Sequence, residues 1–254
     1  MLGWPEGTAR ILLGEVGSTQ DEARAQAPAL GGPAWLLARR QTGGRGRRGK
    51  LWSDPPGNFA ATLVLPLPDA APLLALRSFV AALALRDALV AATGQEAAFT
   101  LKWPNDVLYR GRKIAGILLE TLPAPAQGLA IGIGVNLVAV PGEVAPGARA
   151  PAHLAETGIR IEPEAFLDLL AAAFARREAV LAEQGFGPVR AAWLDHAAGL
   201  GQEVHARAGD TVHSGRFAGI HDSGALLLDT GQGRLALPAA DVFFSAEDAH
   251  AALH

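Results

Sequence analysis

An apolar run over residues 11–16 predicts a short strand, and the helical pattern that follows begins at Ser18 and continues to about residue 27. Ser18 with Asp21 three positions later predicts a capping box at that helix start. Strand-like runs recur at residues 35–39 and 59–65, the second alternating small and large apolar side chains before Pro66. Leu76, Phe79, Val80, Leu83 and Val90 fall at helical spacing, with Gly94 as the stop. Three further strands are predicted over residues 99–103, 113–120 and 129–135. The last puts Ile131, Ile133 and Val135 on one face and Gly132, Gly134 and Asn136 on the other. Such a strand packs one side into a core and leaves the other bare enough for a ligand to approach. A Pro/Gly-rich stretch at residues 141–151 predicts a surface loop, and Pro163 opens a long helix carrying Phe166, Leu169, Leu170, Phe174 and Leu181. Beyond residue 201, short strands at 203–207, 212–220, 225–228 and 234–238 are separated by Ala-Gly-Asp, Asp-Ser-Gly and Gly-Gln-Gly turns, which predicts a small β-barrel. The expected fold is therefore α+β: a mixed sheet with helices over residues 1–200 and a β-rich domain over residues 201–248.

Composition narrows the chemistry. A chain of 254 residues can bury roughly three quarters of the surface its unfolded state exposes, so it needs no disulfide or metal staple. It has no cysteine, which excludes thiolate ligands, cysteine nucleophiles and internal disulfides and fits a reducing cytoplasm. The net charge of −3 gives no general attraction to nucleic acid or an acidic membrane. Half of the residues are hydrophobic, yet Arg, Asp, Gly or Pro interrupts every apolar run before 18 residues, so no membrane span is expected. The first ten residues lack the basic-then-apolar pattern of a secretory leader. The seven histidines show no metal-binding spacing, and neither G-x-S-x-G nor G-x-x-x-x-G-K-[ST] is present.

Of 22 basic residues only Lys50, Lys102 and Lys113 are lysines. A compact ammonium and a planar guanidinium are not interchangeable where phosphate or carboxylate is handled, so these positions mark candidate chemistry. Lys102-Trp103-Pro104-Asn105-Asp106 ends a predicted strand, and the fixed φ of Pro104 presents Lys102 and Asn105 from a rigid corner. Lys113 follows a tight Arg110-Gly111 turn, and a strand–turn–strand hairpin would bring both lysines toward one pocket. Gly43-Gly44-Arg45-Gly46-Arg47-Arg48-Gly49-Lys50, with Trp52 just beyond, is a second candidate. Its glycines let N–H groups converge on an anion and its arginines fork onto oxyanions, although a solvated basic loop or an RNA contact has the same composition. Ser18-Thr19-Gln20 serves equally as a helix cap or as a polar ligand site at a helix start.

Together Ser18-Thr19, residues 41–52, residues 102–106, residues 112–120 and Gly132-Ile133-Gly134-Val135-Asn136 resemble the biotin–protein ligases in order and spacing. The resemblance implies a catalytic domain related to class II aminoacyl-tRNA synthetases and a small SH3-like C-terminal β-barrel. It implies activation of biotin with ATP and Mg²⁺ to biotinyl-5′-AMP, then transfer to one lysine of a biotin carboxyl carrier domain. Under it Ser18, Thr19, Gln20, Gln41, Arg45, Gly46, Arg47 and Lys102 would contact biotin. Arg47, Arg48, Trp52, Asn105, Lys113 and Asn136 would serve ATP, with Lys102, Arg47 and Lys113 catalytic; metal ligands stay unassigned. The family usually carries Asn at position 20, and Gln keeps the amide while adding a methylene. The stretch before residue 11 is too short for the winged helix of repressor-type members, so a cytoplasmic ligase without specific DNA binding is expected, with a homodimer as its candidate assembly. Two other readings stand beside it: a lipoate or octanoate ligase, similar through Arg39-Arg40-x-x-Gly43-Gly44 but lacking the following His-Asp, and a non-catalytic RNA-binding module.

Overall fold

The computed structural model describes residues 3–67, 71–124, 126–140, 150–246 and 249. The chain runs β1 (Ala9–Val16), α1 (Thr19–Gln26), β2 (Ala34–Gln41), β3 (Phe59–Pro66), α2 (Ala71–Ala75), α3 (Arg77–Thr93), β4 (Phe99–Lys102), β5 (Asp106–Tyr109), β6 (Arg112–Leu122) and β7 (Gly128–Val135). It continues through α4 (Pro163–Gln184), α5 (Phe186–Leu194), β8 (Glu203–Ala208), β9 (Thr211–Ile220), β10 (Leu226–Thr230), β11 (Gly233–Leu237) and β12 (Asp241–Phe243). The loop expected at residues 141–151 lies outside the described residues except for its last two.

Strands β1 to β7 form one sheet in the order β1-β2-β3-β7-β6-β5-β4. It is mixed because β1 and β2 are parallel, joined through α1, while the other pairs are antiparallel. The alternation of the sequence decides its two faces. Trp35, Phe59, Leu63, Ile131, Ile133 and Val135 point to the side covered by α3, α4 and α5, where Trp35 meets Phe174 and Phe59 meets Phe166 edge to face. Leu36, Val64 and Ala130 point to the opposite side and pack under Ala23 and Ala27 of the α1 region. Helix α1 is short, so this second face is only partly covered.

One expectation needs correction. A further strand, β5, separates β4 from β6, so the two lysines do not lie on directly paired strands. The Arg110-Gly111 turn instead joins β5 to β6, with both residues at positive φ (48° and 76°), the geometry of a two-residue hairpin turn. The C-terminal strands form an antiparallel sheet in the order β11-β10-β9-β8-β12; among the described residues no pairing of β11 with β12 closes it into a barrel. That sheet is not set apart. Leu101 of β4 bridges to Ala197, the Trp103 indole donates to Gly224 O at 3.1 Å, and one apolar cluster runs from Leu101 to Val204, Phe217 and Val242. Among the described residues no helix is long and apolar enough to cross a membrane.

Candidate active site

The thinly covered face of the first sheet carries a cavity of about 500 Å³. Its floor is made by glycines. Gly134 of β7 is paired in register with Gly116 of β6, and with no side chains there the Trp52 indole lies close against both. One step along β7, Gly132 makes room for the side chain of Gln20. The bare face foreseen for residues 132–136 is thus the surface on which the site is built.

All thirteen predicted site residues line this cavity: Ser18, Thr19, Gln20, Gln41, Arg45, Gly46, Arg47, Arg48, Trp52, Lys102, Asn105, Lys113 and Asn136. At one end the start of α1 is locked to the end of β2. The Thr19 N–H and hydroxyl donate to Gln41 Oε1 at 2.8 and 3.1 Å, and Thr62 donates to the Thr19 hydroxyl. Ser18 Oγ caps the helix by accepting from the Gln20 N–H at 3.2 Å. The capping box does not form, because Asp21 turns outward to a two-pronged pair with Arg45 at 2.7 Å on both oxygens. That guanidinium holds the Asp21 carboxyl below the usual carboxylate range. Arg45 also reaches Glu120, so its charge is spent on protein carboxylates at the rim. Gln20 donates to Leu118 O and leaves Oε1 buried with no partner among the described residues. An unsatisfied buried acceptor of this kind costs free energy that a donor on a ligand would recover.

Lysines and arginines gather at the other end. Lys113 pairs with Asp106 at 2.6 Å and sits 5.6 Å from the Trp52 ring centre. Lys102, at the end of β4, has its ammonium 5.7 Å from Phe243 and 5.4 Å from Phe244. The Trp103–Pro104 peptide between Lys102 and Asn105 is cis. Asn105 donates to Ile117 O at 2.6 Å and accepts from Arg47 at 3.5 Å. Asn136 is buried, donates to Ala152 O and keeps its Oδ1 unpartnered among the described residues. Arg47 and Arg48 both pair with Asp241 of β12. Asp106, which the Lys102–Asp106 motif contained without a role of its own, lines the cavity together with Asp241 and Phe243, which the sequence did not single out.

A carboxylate behind the site titrates away from its ordinary value. Asp54 Oδ2 accepts from the Gln41 N–H at 3.0 Å while its Oδ1 is buried without a partner among the described residues. Burial pushes its pKa up to about 6, against the opposing pull of that hydrogen bond and of Arg40. Because the folded value lies above the unfolded one, ionising Asp54 works against folding as pH rises from about 4 through 6. Asp54→Asn keeps an acceptor for Gln41 and is expected to melt higher than the parent above pH 6. The gap should close as pH falls below the ordinary carboxylate value; thermal melts across that range that run parallel would contradict this.

Comparison with known proteins accords with this geometry. The model of the biotin/lipoate A/B protein ligase family matches residues 17–136, and that of the biotin protein ligase C terminal domain matches residues 199–245. A biotin–[acetyl-CoA-carboxylase] ligase of Paracoccus denitrificans is 53% identical over 238 residues, covering 92% of this chain and 99% of the relative. The bifunctional ligase/repressor BirA of Bacillus subtilis is 30% identical, over 82% of this chain and 65% of that protein. Among solved structures, the biotin protein ligase from Aquifex aeolicus in complex with biotin and ATP superimposes with a TM-score of 0.80 at 27% identity, covering 92% and 97% of the two chains. This protein belongs to the biotin/lipoate A/B protein ligase family, among its biotin–protein ligases.

Proposed function

We propose that the chain adenylates biotin and passes it to a carrier protein. A biotin carboxylate oxygen attacks the α-phosphorus of ATP, giving biotinyl-5′-AMP and pyrophosphate. The amine of one carrier-domain lysine then attacks the acyl carbon and releases AMP. The observation that carries this reading is the division of one cavity into a neutral, hydrogen-bonding end and a cationic end. Thr19, Gln20 and Gln41 make the first; Lys102, Lys113 and Arg47 make the second.

That division suits the chemistry. The neutral amides and hydroxyls match a ureido ring, with Gln20 Oε1 placed to accept from a ring N–H. The reacting groups are both anionic, and the cluster of cations offsets their repulsion and the charge that builds at the α-phosphate. Lys102 meets the carboxylate and α-phosphate, while Lys113 and Arg47 hold the outer phosphates. Positioning and electrostatics are sufficient, so no serine or histidine nucleophile is needed. Asp106 and the Oδ1 of Asn136 supply oxygen donors of the kind that hold Mg²⁺ together with nucleotide phosphates. Such an ion would neutralise phosphate charge when bound. The same reading makes residues 1–200 a class II synthetase-like catalytic domain and residues 201–248 an SH3-like one, in a cytoplasmic ligase whose partner is a carboxylase carrier domain.

Pyrophosphate release tests the proposal. Release is expected with biotin and ATP, with lipoate at background, and label from biotin should reach a carrier domain. Release with lipoate alone would assign the chain to lipoate ligation. Salt-sensitive RNA binding without ATP turnover would replace the enzyme with a binding module.

A further inference from the structure

The arginine loop after β2 is held from the C-terminal sheet by one carboxylate. Asp241, at the start of β12, accepts from Arg47 Nη1 on Oδ1 at 3.3 Å and from Arg48 Nη1 on Oδ2 at 3.2 Å. Its Oδ2 also accepts from Arg207 of β8 at 3.3 Å. The neighbouring Ala240 carbonyl accepts from both terminal nitrogens of Arg47 at 3.4 Å. We infer that Asp241 is a positioning residue for the nucleotide end of the cavity, setting Arg47 and Arg48 over it from the C-terminal sheet.

Three arguments carry this inference, which rests on the ligase reading above. First, the carboxylate is partly buried, and three guanidinium groups converge on it from two separate parts of the chain. Without the negative charge these arginines repel one another, and the loop is the part able to move away. Second, Arg48 adopts positive φ (56°), a backbone state uncommon for a residue with a side chain, so the loop needs outside contacts to keep this shape. Third, Arg47 Nη1 donates both to Asp241 Oδ1 and to Asn105 Oδ1, so a single nitrogen joins the loop to β12 and to the turn after β4, and a shift of β12 is passed to Asn105. Burial by itself would raise the Asp241 pKa; Arg47, Arg48, Lys50 and Arg207 reverse this and keep it below the usual range. The carboxylate is therefore charged at neutral pH.

Asp241→Asn removes the charge with almost no change in size. Two measurements follow it: limited trypsin cleavage after Arg47 and Arg48 in the protein alone, and pyrophosphate release with ATP varied at saturating biotin. Cleavage is expected to quicken about ten-fold and KM for ATP to rise about ten-fold, the scale of a lost charged hydrogen bond, while kcat changes less than about two-fold. Asp241→Glu should bring both back toward the parent. Parental cleavage in Asp241→Asn overturns the inference, as does quicker cleavage with an unchanged or lower KM, which would mean that the hold on the loop does not serve nucleotide. If the parent released no pyrophosphate the ligase reading would fall, whereas the cleavage comparison would still report whether Asp241 holds the loop.

Discussion

Replacing Lys102 by alanine is expected to slow adenylate formation by about a hundred- to a thousand-fold, with the melting temperature close to the parent's. The magnitude is that of one preorganised charged donor removed from a transition state that gathers negative charge. Lys102 stands at the end of β4, where Trp103 is anchored through its indole to Gly224 O, so the position of its backbone is fixed by residues that the substitution leaves intact. Lys102→Arg should not restore the rate. Phe243 and Phe244 flank the ammonium at 5.7 and 5.4 Å, and a flat, larger guanidinium in that space cannot put its charge where the ammonium sits. Rapid-quench measurement of pyrophosphate release gives the chemical step directly. Near-parental rates in either variant would remove Lys102 from its proposed role.

The sequence revealed the site better than it revealed what supports the site. The candidate residues lay in short motifs whose spacing had local causes: a helix start at Ser18, a strand ending at Lys102, glycines alternating along β7. Each of these is a near-neighbour pattern, and each reached the cavity. The supporting carboxylates had no such signal. Asp241 joins Arg47 across 194 positions and Glu120 joins Arg45 across 75, and nothing local marks an aspartate before Val242 and Phe243 as an ion-pair partner. The capping box failed for the same reason. The Ser18–Asp21 spacing was right, but Arg45 offered Asp21 a stronger, charge-assisted partner than a backbone N–H. Strand β5 was hidden because Asp106 to Tyr109 is only four residues long and overlaps the motif taken for a corner. The barrel expectation counted four short strands correctly yet could not see β12, whose three residues pair with β8 at the far edge from β11.

These misses share a consequence for mechanism. The C-terminal sheet looked separable in sequence, but it supplies Asp241, Val242 and Phe243 to the cavity wall. Arg47 and Arg48, at the proposed nucleotide end, are thus held between two parts of the chain, and the aromatic rings beside Lys102 come from the second part. Shielding a mixed anhydride from water requires a closed wall. In the proposed reaction the loop after β2 and the edge of β12, which both line the cavity, would supply that wall together.

A single methyl group placed on the cavity floor is expected to have the second-largest effect. In Gly134→Ala the new Cβ would stand 2.5 Å from Cε2, 2.6 Å from Nε1 and 2.7 Å from Cζ2 of Trp52. Three atoms of one rigid ring cannot all yield by a rotamer adjustment, so the indole must lift from the floor. The Trp52 backbone N–H donates to Gly44 O at 2.9 Å and the ring lies near Lys113, so the displacement is expected to reach both the loop and Lys113. On the proposed assignment of Trp52 to ATP, loss of an aromatic platform under the base is worth ~2 kcal/mol, and kcat/KM for ATP is expected to fall about thirty-fold. Gly116→Ala makes a useful contrast: its Cβ meets the same ring at 3.3 Å and should cost several-fold less. The decisive comparison is a double-mutant cycle with Trp52→Ala. If Gly134→Ala acts by evicting the indole, it adds almost nothing once the indole is gone, and the coupling approaches the whole single-mutant effect. Additive losses would instead place the damage in the β6–β7 pairing and take Trp52 out of the explanation.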